Sequence, residues 1–169
     1  MNQSVPTWQL FEDLVRRILE ANNFLVRTNN VRGDKGFDLL ADFGNERWAI
    51  EIKYYRTARA QPSLIDAAAV RVASNGVATQ AQKGMLVVSC ILPAELREAL
   101  EQKFSITFVD QVDLRIWCKT HPDLVDELDA LLEASPSEPQ VTHPTRDEPT
   151  RRSKPLGGAP TQHRDTRGT

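Results

Sequence analysis

Cysteine is scarce in this chain. Cys90 and Cys118 are the only two among 169 residues. That is too few for a disulfide framework, and both thiols are expected as core filler in a reduced, cytoplasmic protein. Long apolar runs are missing as well. No stretch approaches the roughly 20 residues needed to cross a bilayer, and the opening MNQSVPTW has neither the basic region nor the apolar stretch of an export signal. No membrane association is therefore expected. Excess charge of either sign is also lacking, since 21 basic and 23 acidic residues leave a net charge of −2. This excludes a global basic field, so any affinity for nucleic acid has to come from local patches. The length and the 40% hydrophobic content suit one domain with a real core and are too small for two.

Against these absences one stretch stands out, DKGFDLLADFGNERWAIEIKYYR, from Asp34 to Arg56. Residues 36–43 and 46–55 alternate in character and flank Gly44-Asn45, a two-residue hairpin turn signal. With that turn, Phe43 faces Glu46 and the register follows. One face carries Phe37 with Ile52, Leu39 with Ile50 and Ala41 with Trp48, an apolar surface suited to a core. The other carries Asp38 opposite Glu51 and Asp42 opposite Arg47. Lys53, two residues beyond Glu51, shares that face.

Carboxylates facing each other across a hairpin have Cβ atoms about 5 Å apart, and at an effective dielectric near 20 they repel by about 3 kcal/mol. The strain is relieved by raising one pKa or by binding a cation. An all-oxygen pair suits a hard divalent ion, and Mg²⁺ in particular is held by one or two carboxylates plus water and substrate phosphate. Lys53 beside such an ion is placed to orient a water and to balance charge on a phosphate. The plainer reading is a solvated strand face. Leu40 and Ala49 among the charges argue against it and favour the wall of a cleft.

These residues resemble the PD-(D/E)xK nuclease core, in the branch of Mrr-like restriction endonucleases. The resemblance rests on Phe11-Glu12, then Gly33-Asp34-Lys35-Gly36-Phe37-Asp38, then Glu51-Ile52-Lys53-Tyr54-Tyr55-Arg56, in that order and spacing, and extends over about residues 8–117. Phe37 stands where the family motif has its proline. The resemblance implies a three-layer α/β/α restriction endonuclease-like fold whose mixed central sheet carries the antiparallel catalytic hairpin. It implies Asp38 and Glu51 as ligands of Mg²⁺ or Mn²⁺, Lys53 as the catalytic lysine, and Glu12 reaching the metal from the first helix. Its DNA cleavage would leave 5′-phosphate ends. By the same pattern Asp34 supports the site or binds a second ion; an aspartate beside Gly33 also serves simply as a turn residue. Tyr55, Arg56 and Arg59 follow Lys53, and the arginines suit phosphate contact through their planar forks, or solvation alone.

The rest of the chain reads as alternating helix and strand. Trp8, Phe11, Leu14, Val15, Ile18 and Leu19 recur at helical spacing after Pro6-Thr7, with Glu12 at the edge of that stripe. A strand over 24–28 feeds a loop over 29–35. Ser63 is expected to cap a helix of small residues ending near Asn75-Gly76, and a short helical piece follows up to Lys83. Residues 84–90, GMLVVSC, read as a strand buried on both faces. Pro93 begins a helix through Phe104, before a strand over 106–110. This β-α-β alternation argues for parallel pairing. Helices over 113–118 and 120–133 close the domain.

From residue 134 the composition changes. Six of the ten prolines fall in these last 36 residues, with six basic against four acidic side chains and almost no large apolar ones. Residues 1–133 are thus expected as the nuclease domain and 134–169 as a disordered, Pro-rich, mildly basic tail. The whole reads as a metal-dependent DNA endonuclease in prokaryotic defence, a restriction or antiviral effector nuclease that works as a homo-oligomer or with a partner supplying specificity. Two alternatives share the fold: a non-catalytic nucleic-acid-binding or assembly module, and a junction-resolvase or repair nuclease.

Overall fold

Gly44 has φ +59°, while Asn45 keeps an ordinary negative φ. A left-handed first residue followed by a normal second is what a type II′ turn asks, and it lets the flanking strands keep their right-handed twist. The computed structural model describes residues 5–27, 37–59, 61–75 and 80–134. All of these lie in the compact unit that spans residues 1–139. In chain order the elements are α1 (Thr7–Ala21), β1 (Leu25–Arg27), β2 (Leu39–Phe43), β3 (Glu46–Lys53), α2 (Pro62–Asn75), β4 (Lys83–Val88), α3 (Ala94–Phe104), β5 (Thr107–Val109), α4 (Gln111–Trp117) and α5 (Pro122–Glu133).

The strands form one mixed sheet in the order β1-β2-β3-β4-β5. β1 pairs with β2, and β2 with β3, antiparallel. β3 with β4 and β4 with β5 are parallel. The hairpin register is as read from the turn, from Phe43↔Glu46 to Leu39↔Ile50.

Alternation along the strands divides the core into two clusters, one on each face. Ile50, Ile52, Met85 and Val87 join α1, α4 and α5, with Phe11, Ile18 and Leu128 at 0% exposure. Leu86, Val88 and Phe108 point the other way, onto Ile65, Ala69 and Val72 of α2 and Leu100 of α3. The fold is therefore a three-layer α/β/α sandwich with a mixed central sheet, as the resemblance implied, with β4 buried on both faces. Cys118 lies in the first cluster and Cys90 in the second, both fully buried.

Several boundaries differ from expectation, each for a local reason. Trp8 begins the apolar stripe of α1 but is 49% exposed; helical spacing does not tell how far the core extends beneath the first turn. α2 starts at Pro62, which leaves Ser63 inside the helix instead of capping it. Lys83 already pairs with Trp48 as the first residue of β4. The helical piece expected before it falls partly on residues 76–79, outside the described residues, as do the loop over 29–35 and the tail from 135. α4 begins two residues early because Asp110 accepts from the backbone N–H groups of Val112 and Asp113, while Asp113 accepts from the N–H of Asp110. This reciprocal capping box ends β5 and starts the helix at once.

Gly84 leaves no room for a side chain between β4, α2 and the residue that precedes β5. A Cβ there would lie 2.8 Å from Cγ2 of Ile106 and 2.9 Å from Cγ1 of Val72. Gly84→Ala should therefore lower stability by about 1–3 kcal/mol through overpacking, and adding Val72→Ala should recover part of the loss. Urea unfolding of the single and double variants measures both. An unchanged midpoint in Gly84→Ala would mean that the layers are looser than these distances.

Candidate active site at the break in the hairpin ladder

The pairing of β2 with β3 stops at Leu39↔Ile50. One residue earlier, the backbone N–H of Asp38 also donates to the carbonyl of Ile50, at 2.8 Å. Two residues thus face one, a local bulge that takes Asp38 out of the regular register. A regular ladder would give the Ile52 N–H the carbonyl of Phe37. That N–H donates instead to Oδ2 of Asp38, at 2.6 Å. The side chain of Asp38 therefore replaces a backbone acceptor, and its carboxylate is fixed at the end of the strand pair. This corrects the expectation that Asp38 sits squarely opposite Glu51, because turn geometry propagates register only as far as the ladder stays regular.

Glu51 is 2% exposed, although it sits on the face expected to form an open cleft wall. The cause is α2, which packs across β3 and β4. Ala49, on the same face, is also fully buried. A carboxylate taken out of water is costly unless it is paired, and Glu51 is paired twice. Nζ of Lys53 lies 2.5 Å from Oε1. Nη2 of Arg71 lies 2.6 Å from the same oxygen. Sequence reasoning missed Arg71. The one available signal was a lone basic residue in a helix otherwise rich in alanine and valine, and only the fold brings it to β3.

Glu12 approaches from the opposite layer, on α1. Burial, then the charge of Asp38, and less strongly that of Glu51, push its pKa up to about 7, against a lowering by Lys53. Asp38 is raised too, by burial first; its bond from Ile52 opposes this, Glu51 adds to it, and Lys53 and Arg71 oppose it further. Glu12, Asp38, Glu51, Lys53 and Arg71 thus share one electrostatic neighbourhood.

Among the described residues no group of three or more His, Cys, Asp or Glu side chains is placed to hold a metal ion by itself. An all-protein cage is therefore not what these residues build. Mg²⁺ needs less, one or two carboxylates with water and phosphate. The crowded, all-oxygen donors Asp38 and Glu51 fit that demand. Asp34 lies outside the described residues.

Past Lys53 the chain is held by Ser89, the residue that follows β4. The N–H of Ser89 donates to the carbonyl of Lys53 at 3.1 Å. Its Oγ accepts from the N–H of Tyr55 at 2.7 Å and donates to the Tyr55 carbonyl at 3.1 Å. The ring of Tyr55 packs against the α2–α3 cluster, so this residue supports the strand end. Tyr54 turns to the other layer, 5.5 Å from the ring of Phe11, and its hydroxyl donates to the carbonyl of Leu131. Arg56 and Arg59 are exposed just beyond.

The sequence matches the family described as restriction endonuclease, in its Mrr catalytic form, over residues 5–118. No curated protein matches the chain. Similar solved structures include a protein of unknown function, AF1548, at 13% identity over 76% of this chain and 99% of that one, with a TM-score of 0.47. Another is the DNA modification-dependent restriction endonuclease AspBHI, at 16% identity over 78% of this chain and 40% of that one, with a TM-score of 0.42.

Glu12 gives a pH test. Its unfolded carboxyl loses a proton near 4.5, whereas the folded one keeps it to about 7. The folded state thus binds more protons between those values, and stability falls as pH rises through that window. Glu12→Gln should be more stable than the parent at about pH 8, with the gain vanishing toward pH 4.5. Denaturant midpoints at the two pH values measure it. Equal midpoints at the higher pH would mean that the carboxylate is already compensated.

Proposed function

The chain belongs to the restriction endonuclease family matched over its residues 5–118, and from that premise we propose that it is a metal-dependent endonuclease hydrolysing phosphodiester bonds in DNA. The observation that carries this reading is Glu51, a 2% exposed carboxylate tied at 2.5 Å to Lys53 of the same strand. Beside it Asp38 is fixed on the intervening Ile52 amide. Asp38 and Glu51 would hold Mg²⁺ or Mn²⁺. Such an ion supplies Lewis-acid polarisation of a phosphoryl oxygen and makes an attacking water more acidic.

The chain's own groups do the remaining work. Lys53, anchored on Glu51, orients the water and balances charge that grows on the phosphate in the transition state. Glu12, with a pKa near 7, can hold or release a proton at neutral pH, where such a group works best. Arg56 and Arg59 are exposed and follow Lys53 closely, which suits contact with the DNA backbone.

Residues 1–133 form the catalytic body in this reading, and 134–169 a tether. The physiological setting is prokaryotic defence in the cytoplasm. One site cuts one strand, so a double-strand break in one encounter needs two copies or a partner, which would also supply specificity.

Cleavage of linear duplex, single-stranded and branched DNA with Mg²⁺, Mn²⁺ or a chelator tests the proposal. Asp38→Asn and Glu51→Gln should abolish cleavage. Lys53→Ala should lose about 10²- to 10³-fold in turnover while still binding the ion, and Lys53→Arg should also be poor because a guanidinium has another shape and does not give up its proton. Full activity of Glu51→Gln, or cleavage indifferent to chelation, would overturn the assignment. DNA binding without any cleavage would favour a non-catalytic module instead. Truncation after Glu133 should leave the melting temperature nearly unchanged, and a drop of many degrees would show that residues 134–169 dock on the body.

A further inference from the structure

Arg71 is the one member of this neighbourhood to which the proposed chemistry gives no task. Its side chain is 51% exposed, yet its Nη2 meets a carboxylate whose side chain is only 3% exposed. The two partners therefore stand very differently toward the pair. Glu51, buried beneath α2, cannot be left without positive charge except at large cost. The guanidinium is half in water and gives up little by moving away.

Arg71 shares Oε1 with Lys53, so both cations crowd one oxygen of Glu51. Its charge also favours the ionised form of Asp38, less strongly than that of Lys53 does. A divalent ion bound through Glu51 would need an oxygen of that carboxylate, and Oε1 is the oxygen the guanidinium holds at 2.6 Å.

Resting on the proposed metal-dependent site, we propose that Arg71 is a built-in counter-cation. It neutralises Glu51 while the site lacks a divalent ion, competes with that ion for the carboxylate, and on yielding it turns its guanidinium to a phosphate of the DNA. Lys53 keeps its place in both states because it comes from the same strand as Glu51, two residues away. Arg71 reaches in from a separate helix on a long side chain, which allows it to leave without moving the sheet.

The test uses the full chain and calorimetric titration with Mn²⁺, and with Ca²⁺ as a probe that need not support cleavage. Competition predicts opposite changes in two affinities. Arg71→Gln should bind Mn²⁺ more tightly than the parent, on the order of 5- to 10-fold, as expected for loss of a modest coupling free energy. Its DNA affinity in Ca²⁺ should be weaker, with the salt dependence reduced by about one phosphate contact. Without any divalent ion the variant should melt lower than the parent, and added Mn²⁺ should close that gap. Arg71→Lys, which keeps the charge at shorter reach, should fall between the two and guards against a variant that fails to fold. Weaker or unchanged Mn²⁺ binding in Arg71→Gln would overturn the inference, since Arg71 would then position Glu51 as a ligand or be a bystander. A parent chain that binds no divalent ion would overturn the site reading and this inference together.

Discussion

A buried carboxylate has to be answered by positive charge, and Glu51 sets that condition for everything around it. β3 supplies Lys53 by the two-residue period of a strand. α2 supplies both the burial and Arg71. The cost of an unpaired charge in that environment is several kcal/mol, so the packing of α2 on the sheet and the charge state of the site are one problem. A substitution that lifts α2 from β4 would also hydrate Glu51. This helix contributes little polarity of its own because its inner face is built from Ile65, Ala68, Ala69 and Val72. Small side chains there let it lie close to the sheet.

Much of this was legible in the sequence where a local rule extends without interruption. Gly44-Asn45 gave the turn, the turn gave the register from Phe43↔Glu46 to Leu39↔Ile50, and the apolar run after Gly84 gave a central parallel strand. What was not legible depends on a break in a rule or on distance in the chain. At the bulge the carboxylate of Asp38 takes the Ile52 N–H in place of a backbone acceptor, a substitution that strand alternation does not register. Arg71 is twenty residues from Glu51 and meets it only through the β3-α2-β4 crossover. Glu12 lay at the edge of a helical stripe, and its electrostatic link to Asp38 needed the α1 layer to be set on the sheet.

The two halves of the sheet do different things. The antiparallel half, β1 to β3, contains the bulge and the carboxylates. The parallel half, β3 to β5, is covered by helices on both faces and holds the strand end through Ser89, whose N–H bonds the Lys53 carbonyl and whose hydroxyl takes over from strand pairing with two hydrogen bonds to the Tyr55 backbone. A serine is small enough to be buried there and supplies both donor and acceptor. Irregular backbone beside the site is thus secured from the regular side of the sheet.

Cys90 and Cys118 lie in different layers, each at 0% exposure. The chain therefore carries a native chemical label in each half of its core. A thiol reagent meets Cys90 only when the α2–α3 layer opens, and Cys118 only when the α1–α4–α5 layer does. The order in which the two react under mild denaturation would report which layer parts from the sheet first, and partial openings of this kind occur below the global unfolding free energy.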